Sequence, residues 1–102
     1  MDYMFADGRL MLHRTDAERA PLLQRLRRIE GQVRGLQQMI EADRYCLDEV
    51  QQVNAINAAM REVALGIIGD HLHAAVASAV EAHDRRAAVD EMITVLRAAL
   101  RQ

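Results

Sequence analysis

The chain has 102 residues, enough for one domain; 51% are hydrophobic and only 3% aromatic, so its apolar content is aliphatic and suits helix-on-helix packing. A net charge of −2 and a pI near 6.0 argue against non-specific nucleic-acid binding by the surface as a whole, though not by a local basic patch. The single cysteine excludes an internal disulfide framework.

A lone copy with so few large side chains has a modest core, so an oligomer is expected. No apolar run reaches the roughly 18 residues of a membrane span. The N-terminus lacks a basic-then-apolar leader pattern, and a cytoplasmic protein is expected. All 13 basic residues are arginine. Arginine suits bidentate phosphate and guanine contacts, although a GC-rich genome gives the same bias.

Residues 1–16 mix Gly, Asp and Arg with no sustained period and read as a flexible N-terminal arm. Met11 offers a second start, which would leave His13 third in the chain. Residues 17–102 read as a single helical domain. Thr15 and Asp16 are candidate caps, and Pro21, which lacks an N–H, fits an opening turn. The first helix is expected over about Pro21 to Ala42, with a heptad-like seam of Leu22, Leu26, Ile29, Val33, Leu36 and Ile40. Gly31 and Gly35, four apart, would let another helix come close. Arg25, Arg27, Arg28 and Arg34 lie off the seam. The link Glu41–Tyr45 is short and polar, which makes the first two helices antiparallel neighbours.

A second, long helix runs from about Asp48 to at least Leu72, on a period carried by Val50, Val53, Ile56, Met60, Val63 and Ile67. Gly66 and Gly69 mark a place for a kink, after which the pattern resumes with Leu72, Val76 and Val80. His83-Asp84-Arg85 is a break. A last amphipathic helix, about Arg86 to Leu100, carries Val89, Met92, Ile93, Leu96 and Leu100.

Cys46 and His71 stand near the two ends of the long helix, 25 positions apart. At about 100° per residue they are roughly 20° apart around the axis, and at 1.5 Å per residue roughly 37 Å apart along it. One chain cannot bring both to one ion. Two antiparallel copies could, twice per dimer, and a thiolate beside an imidazole suits a metal. Taken singly, Cys46 reads as well as a packed thiol and His71 as a surface histidine. His73 lies about 200° from His71 around the helix and reads as solvated. His83 reads as a loop residue, and His13 belongs to the arm.

The first-helix arginines form a basic patch, for which pairing with Glu30 and Glu41 is the commoner role. No helix-turn-helix is evident. A Gly-rich phosphate loop, a nucleophile elbow and carboxylates placed for acid–base work are all missing from the sequence, so an enzyme is not expected.

Three stretches resemble the CsoR/RcnR family of bacterial metal-sensing transcriptional repressors. Arg25-Leu26-Arg27-Arg28-Ile29-Glu30-Gly31-Gln32-Val33-Arg34-Gly35 is similar to its first-helix signature. Asp43-Arg44-Tyr45-Cys46 with Val50-Gln51-Gln52-Val53 is similar to its cysteine segment. Val63-Ala64-Leu65-Gly66 through Asp70-His71-Leu72 is similar to the end of its second helix. The resemblance spans about Pro21 to Leu100.

It implies an all-α fold: a three-helix protomer, an antiparallel four-helix bundle dimer, and a dimer of dimers. It implies a repressor that binds operator DNA without a helix-turn-helix and is released by an inducer. Cys46 matches the family's ligand cysteine, and His71 its ligand histidine from the other protomer. His13 and His73 are further candidate ligands. Tyr45 and Glu91 match outer-shell positions of the copper sensors. Copper sensors carry a second cysteine where this chain has Ala75; nickel and cobalt sensors carry histidine there. Persulfide sensors carry cysteine at position 71, and formaldehyde sensors an N-terminal proline, neither of which this chain has.

The expected inducer is Cu(I), held between protomers by Cys46 and His71, since Ni(II) and Co(II) want more nitrogen and oxygen donors. Arg25, Arg28, Arg34 and Arg61 are the expected DNA contacts. Two alternatives stay open. One is the same repressor sensing an electrophile such as formaldehyde, or Ni/Co, through Cys46. The other is a helical metal-binding or interaction protein without DNA binding.

Overall fold

The computed structural model describes residues 1–101. A hairpin of β1 (Asp2–Ala6) and β2 (Arg9–His13) precedes three helices, α1 (Asp16–Glu41), α2 (Cys46–Ala82) and α3 (Arg85–Ala99). The three expected helices are present. Residues 2–13, within the stretch expected to be an arm, form an antiparallel hairpin with Tyr3 opposite Leu12 and Phe5 opposite Leu10. Its turn is Asp7-Gly8, with φ of 52° and 74°, the left-handed pair that a two-residue hairpin turn requires.

α1 begins at Asp16, ahead of Pro21. Asp16 and Glu18 place negative charge on its first turn, where the exposed N–H groups favour it. Pro21 therefore stands in the second turn, where the ring costs α1 the N–H bond to the Ala17 carbonyl. Past Glu41, the Arg44 N–H reaches the Met39 carbonyl (2.9 Å) and the Asp43 N–H the Ile40 carbonyl (3.2 Å). With Asp43 at φ 52° this is a Schellman stop. α2 then runs unbroken through Gly66 and Gly69 to Ala82. His83 takes φ 51°, and the Asp84 carboxylate accepts from the Ala87 N–H (3.1 Å) to cap α3.

Two compact units divide the chain, Asp16–Gly66 and Met1–Thr15 with the segment from Ile67 onward. In the first, α1 and the start of α2 are antiparallel neighbours. The Gln52 side-chain amide donates to the Gln32 backbone carbonyl (3.0 Å), while Gly66 lies against Leu22. A Cβ on Gly66 would stand 3.1 Å from Leu22 Cδ2, so Gly66, rather than Gly31, is the glycine that permits close approach. Gly31 faces open space, and a Cβ on Gly35 would make only an ordinary contact with the Gln52 side chain. Gly66→Val should overpack this contact and destabilise the protein by about 1–3 kcal/mol in urea unfolding. Of the expected seam of α1, Ile29 is buried and Val33 and Ile40 remain exposed.

In the second unit Leu10, Ala74, Ala75 and Met92 form a buried cluster, with Tyr3, Leu12 and Ile68 packed on it. The hairpin thus supplies the cluster with Leu10. Large apolar side chains stay exposed along α2, among them Val50, Met60, Leu65, Leu72, Val76 and Val80. Contrary to the expectation that no apolar run reaches the length of a membrane span, α2 is long and apolar enough to cross a membrane by length and composition, with a mean hydropathy of 1.5 in one 18-residue window. Yet Asp70, His71 and Glu81 of its second half are each partnered by a polar side chain from another segment, which is how a helix packed in protein treats such groups.

Candidate metal centre

Cys46 is the first residue of α2 and its thiol is free and exposed. The Tyr45 carbonyl accepts the Glu49 N–H (3.2 Å), so Tyr45 closes the first turn of α2 while its ring lies in solvent. His71 is in the second half of the same helix, where only 14% of its side chain is accessible. Its Nε2 lies 2.7 Å from Glu91 Oε2, and Glu91, from α3, is 9% accessible. α3 brings this carboxylate to His71 because the His83–Asp84 turn folds it back on the end of α2.

The pair has a chemical consequence. In the tautomer that donates from Nε2 to the carboxylate, the lone pair of the ring lies on Nδ1. A histidine held by a carboxylate on one nitrogen and open on the other is the usual arrangement of a metal ligand. The second Glu91 oxygen, Oε1, accepts a long bond from the Leu10 N–H (3.4 Å). Asp70, next to His71, is bound by Arg14 Nε (2.9 Å).

The other candidates fall elsewhere. His73 is exposed, as its helical offset requires. His13 ends β2, exposed and opposite Asp2. His83 is in the α2–α3 turn. Among the described residues no three of His, Cys, Asp and Glu gather where one chain could hold a metal. Ala75, at the position of the copper sensors' second cysteine, is buried in the cluster with Leu10.

Arg25, Arg28, Arg34 and Arg61 are all exposed. Arg25 and Arg28 share a face of α1, about 60° apart, whereas Arg34 lies about 180° from Arg25 and pairs with Glu30 at 3.7 Å. Arg34 therefore does not share the α1 face of Arg25 and Arg28, and Arg61 stands on α2.

The hairpin contacts were not legible from composition. The Tyr3 hydroxyl donates to Glu81 Oε2. That bond, then desolvation, then the Glu81 charge raise the phenol above its ordinary 10.0. The bond's contribution to holding the hairpin is thus fully present below pH 10.0 and lost as pH rises through the higher folded value. In Tyr45→Phe, where Tyr3 is the remaining tyrosine, the phenolate absorbance should have its midpoint above 10.0.

Residues 18–98 match the family model for the metal-sensitive transcriptional repressor. Copper-sensing transcriptional repressor CsoR of Bacillus subtilis is 45% identical over 85 residues, covering 83% of this chain and 84% of that one. RicR, a copper-sensing repressor of Mycobacterium tuberculosis, is 52% identical over 56 residues, 55% of this chain and 58% of its own. The crystal structure of CsoR with Cu(I) from Geobacillus thermodenitrificans superposes with a TM-score of 0.75 at 37% identity, covering 89% of this chain and 95% of that one. The nickel-responsive regulator InrS superposes at 0.76 with 28% identity, over 88% and 98%.

Proposed function

We propose that this chain, which belongs to the metal-sensitive transcriptional repressor family, is an operator-binding repressor released by Cu(I) held between protomers by Cys46 and His71. The observation that carries the reading is the His71–Glu91 pair: it leaves Nδ1 open on a fixed ring, while Cys46 is an exposed free thiol. A soft sulfur and an imidazole suit Cu(I). Glu91 orients the ring, and Tyr45 stands beside the thiol position as its backbone closes the helix start. When bound, Cu(I) supplies a cross-link between the two side chains. The copper-sensing relatives support this choice, whereas InrS supports nickel within the same fold.

The shared site requires an oligomer with antiparallel α2 helices, which we take as a four-helix bundle dimer, paired into a homotetramer. Three features support it: the exposed apolar residues of α2, a core in which no large side chain among the described residues is fully buried, and Gln32 Oε1, enclosed without a hydrogen-bond partner. Residues 17–102 are the repressor domain, acting on DNA in the cytoplasm through Arg25, Arg28 and Arg61, with Arg34 as a lesser contact. His13 and His73 stand outside the ligand set.

The deciding experiment is binding to a DNA fragment from the promoter region of its own gene, with Cu(I), Ni(II) and formaldehyde as releasing agents. Release by Cu(I) alone is the expected result. Release by formaldehyde would move the signal to alkylation of Cys46, and failure to bind any such fragment would remove the repressor reading. Light scattering should give a tetramer; a monomer would remove the shared site.

A further inference from the structure

We propose that the β1–β2 hairpin is a positioning element of the inducer site, in which the Leu10 backbone N–H holds the Glu91 carboxylate in place against His71. The proposal rests on the reading of His71 as a ligand. The hairpin lies outside residues 18–98, which match the family model.

The turn of the hairpin leaves this donor free. A two-residue turn at Asp7-Gly8 makes Ala6 and Arg9 the first hydrogen-bonded pair, and the alternation of an antiparallel ladder then makes Phe5 and Leu10 a non-hydrogen-bonded pair. The Leu10 N–H therefore points away from β1, and it meets Glu91 Oε1 at 3.4 Å. Glu91 Oε2 lies 2.7 Å from His71 Nε2. The Glu91 side chain is only 9% accessible. A carboxylate so enclosed needs donors to its oxygens, or it turns back toward water. With one oxygen held by the hairpin, the other stays aimed at the ring.

The rest of the hairpin fixes Leu10 there. Its side chain is buried in one cluster with Met92, the neighbour of Glu91 on α3, and with Ala74 of α2. Its own strand neighbours Arg9 and Met11 are exposed, so the burial belongs to Leu10 in particular. The Tyr3 hydroxyl donates to Glu81 of α2, and Arg14 Nε pairs at 2.9 Å with Asp70, the residue before His71. The first strand and the residue after the second are thus tied to α2, and Leu10 between them to α3. A detached hairpin would free Glu91 Oε1 and let the carboxylate leave the ring.

Amide exchange of the metal-free protein, followed residue by residue by NMR, tests this. The Leu10 N–H should exchange slowly although it stands outside the ladder, and Glu91→Ala should speed it about tenfold. Met11, whose N–H the same alternation assigns to the ladder, should keep its rate, which separates loss of this one bond from opening of the hairpin. Glu91→Gln, which retains an acceptor oxygen, should keep most of the protection. Arg14→Gln should weaken Cu(I) binding about three- to tenfold in chelator competition, and less than about twofold when Glu91 is already alanine, because an effect exerted through Glu91 then has nothing left to remove. Leu10 exchange indifferent to Glu91→Ala, or an Arg14→Gln effect of equal size in both backgrounds, overturns the proposal. Leu10 protection that depends on Glu91, with no Cu(I) bound by the wild type, supports the positioning and overturns the copper reading instead.

Discussion

Cys46→Ala should abolish release from DNA by the inducer while leaving repression intact. The chain has no other thiol, and the residue is exposed at the start of α2, so its loss removes a ligand and little packing. His71→Ala separates metal from electrophile. A metal site would lose one of its two protein ligands, and Cu(I) affinity should fall by more than the roughly 10–100-fold that loss of an outer-shell partner costs. An electrophile needs the thiol, and a missing imidazole would only slow it. Glu91→Gln should fall inside that roughly 10–100-fold range, because the amide keeps the shape but holds the His71 Nε2–H less firmly. The readouts are chelator competition for Cu(I) and DNA release for each candidate signal. Wild-type protein that binds no Cu(I), with formaldehyde releasing both wild type and His71→Ala, would transfer the signal to Cys46 chemistry.

The helices were legible because their apolar residues recur by three and four, and the stops after Glu41 and Ala82 fall at polar links. The hairpin was not, although Asp7-Gly8 is a strong hairpin signal. Its strands do not alternate apolar with polar residues, since Met4 and Phe5 are adjacent, apolar and exposed, and Leu10 is the one buried residue on them. Pro21 misled in the other direction: a ring without an N–H suggests a helix start, but the acids at 16 and 18 set the start a turn earlier. Gly66 suggested a kink, yet its missing Cβ is used sideways, to seat Leu22. At the site, the spacing of Cys46 and His71 was legible as a shared helix face. The role of Glu91 was not, because it reaches His71 from another helix, and only the resemblance pointed to it. The place of Leu10 in one buried cluster with Ala74, Ala75 and Met92 depends on the hairpin and had no signal in the helices at all.

Neutralising Arg25, Arg28 and Arg61 together should cost the largest share of DNA affinity. The chain carries a net charge of −2, so attraction to a phosphate backbone depends on local arginine clusters rather than on the whole surface. Arg25 and Arg28 are exposed on one face of α1, and no ion pair to a carboxylate holds either of them among the described residues. Arg34 differs: it points about half a turn away from Arg25 and is paired with Glu30. An exposed pair of this kind contributes little to stability, so Arg34→Gln should leave folding unchanged. Its effect on DNA should also be the smallest of the four. For the other three, every arginine that neutralises a phosphate should, once replaced, flatten the slope of log K against log salt by about 0.9, and weaken binding to all sequences alike. The measurement is fluorescence anisotropy of operator and unrelated duplexes across a salt series. A triple variant with the wild-type slope would place the DNA surface elsewhere on the protein. A loss confined to operator sequence would instead make these arginines readers of bases, a role in which a bidentate arginine–guanine pair is worth about 1–3 kcal/mol.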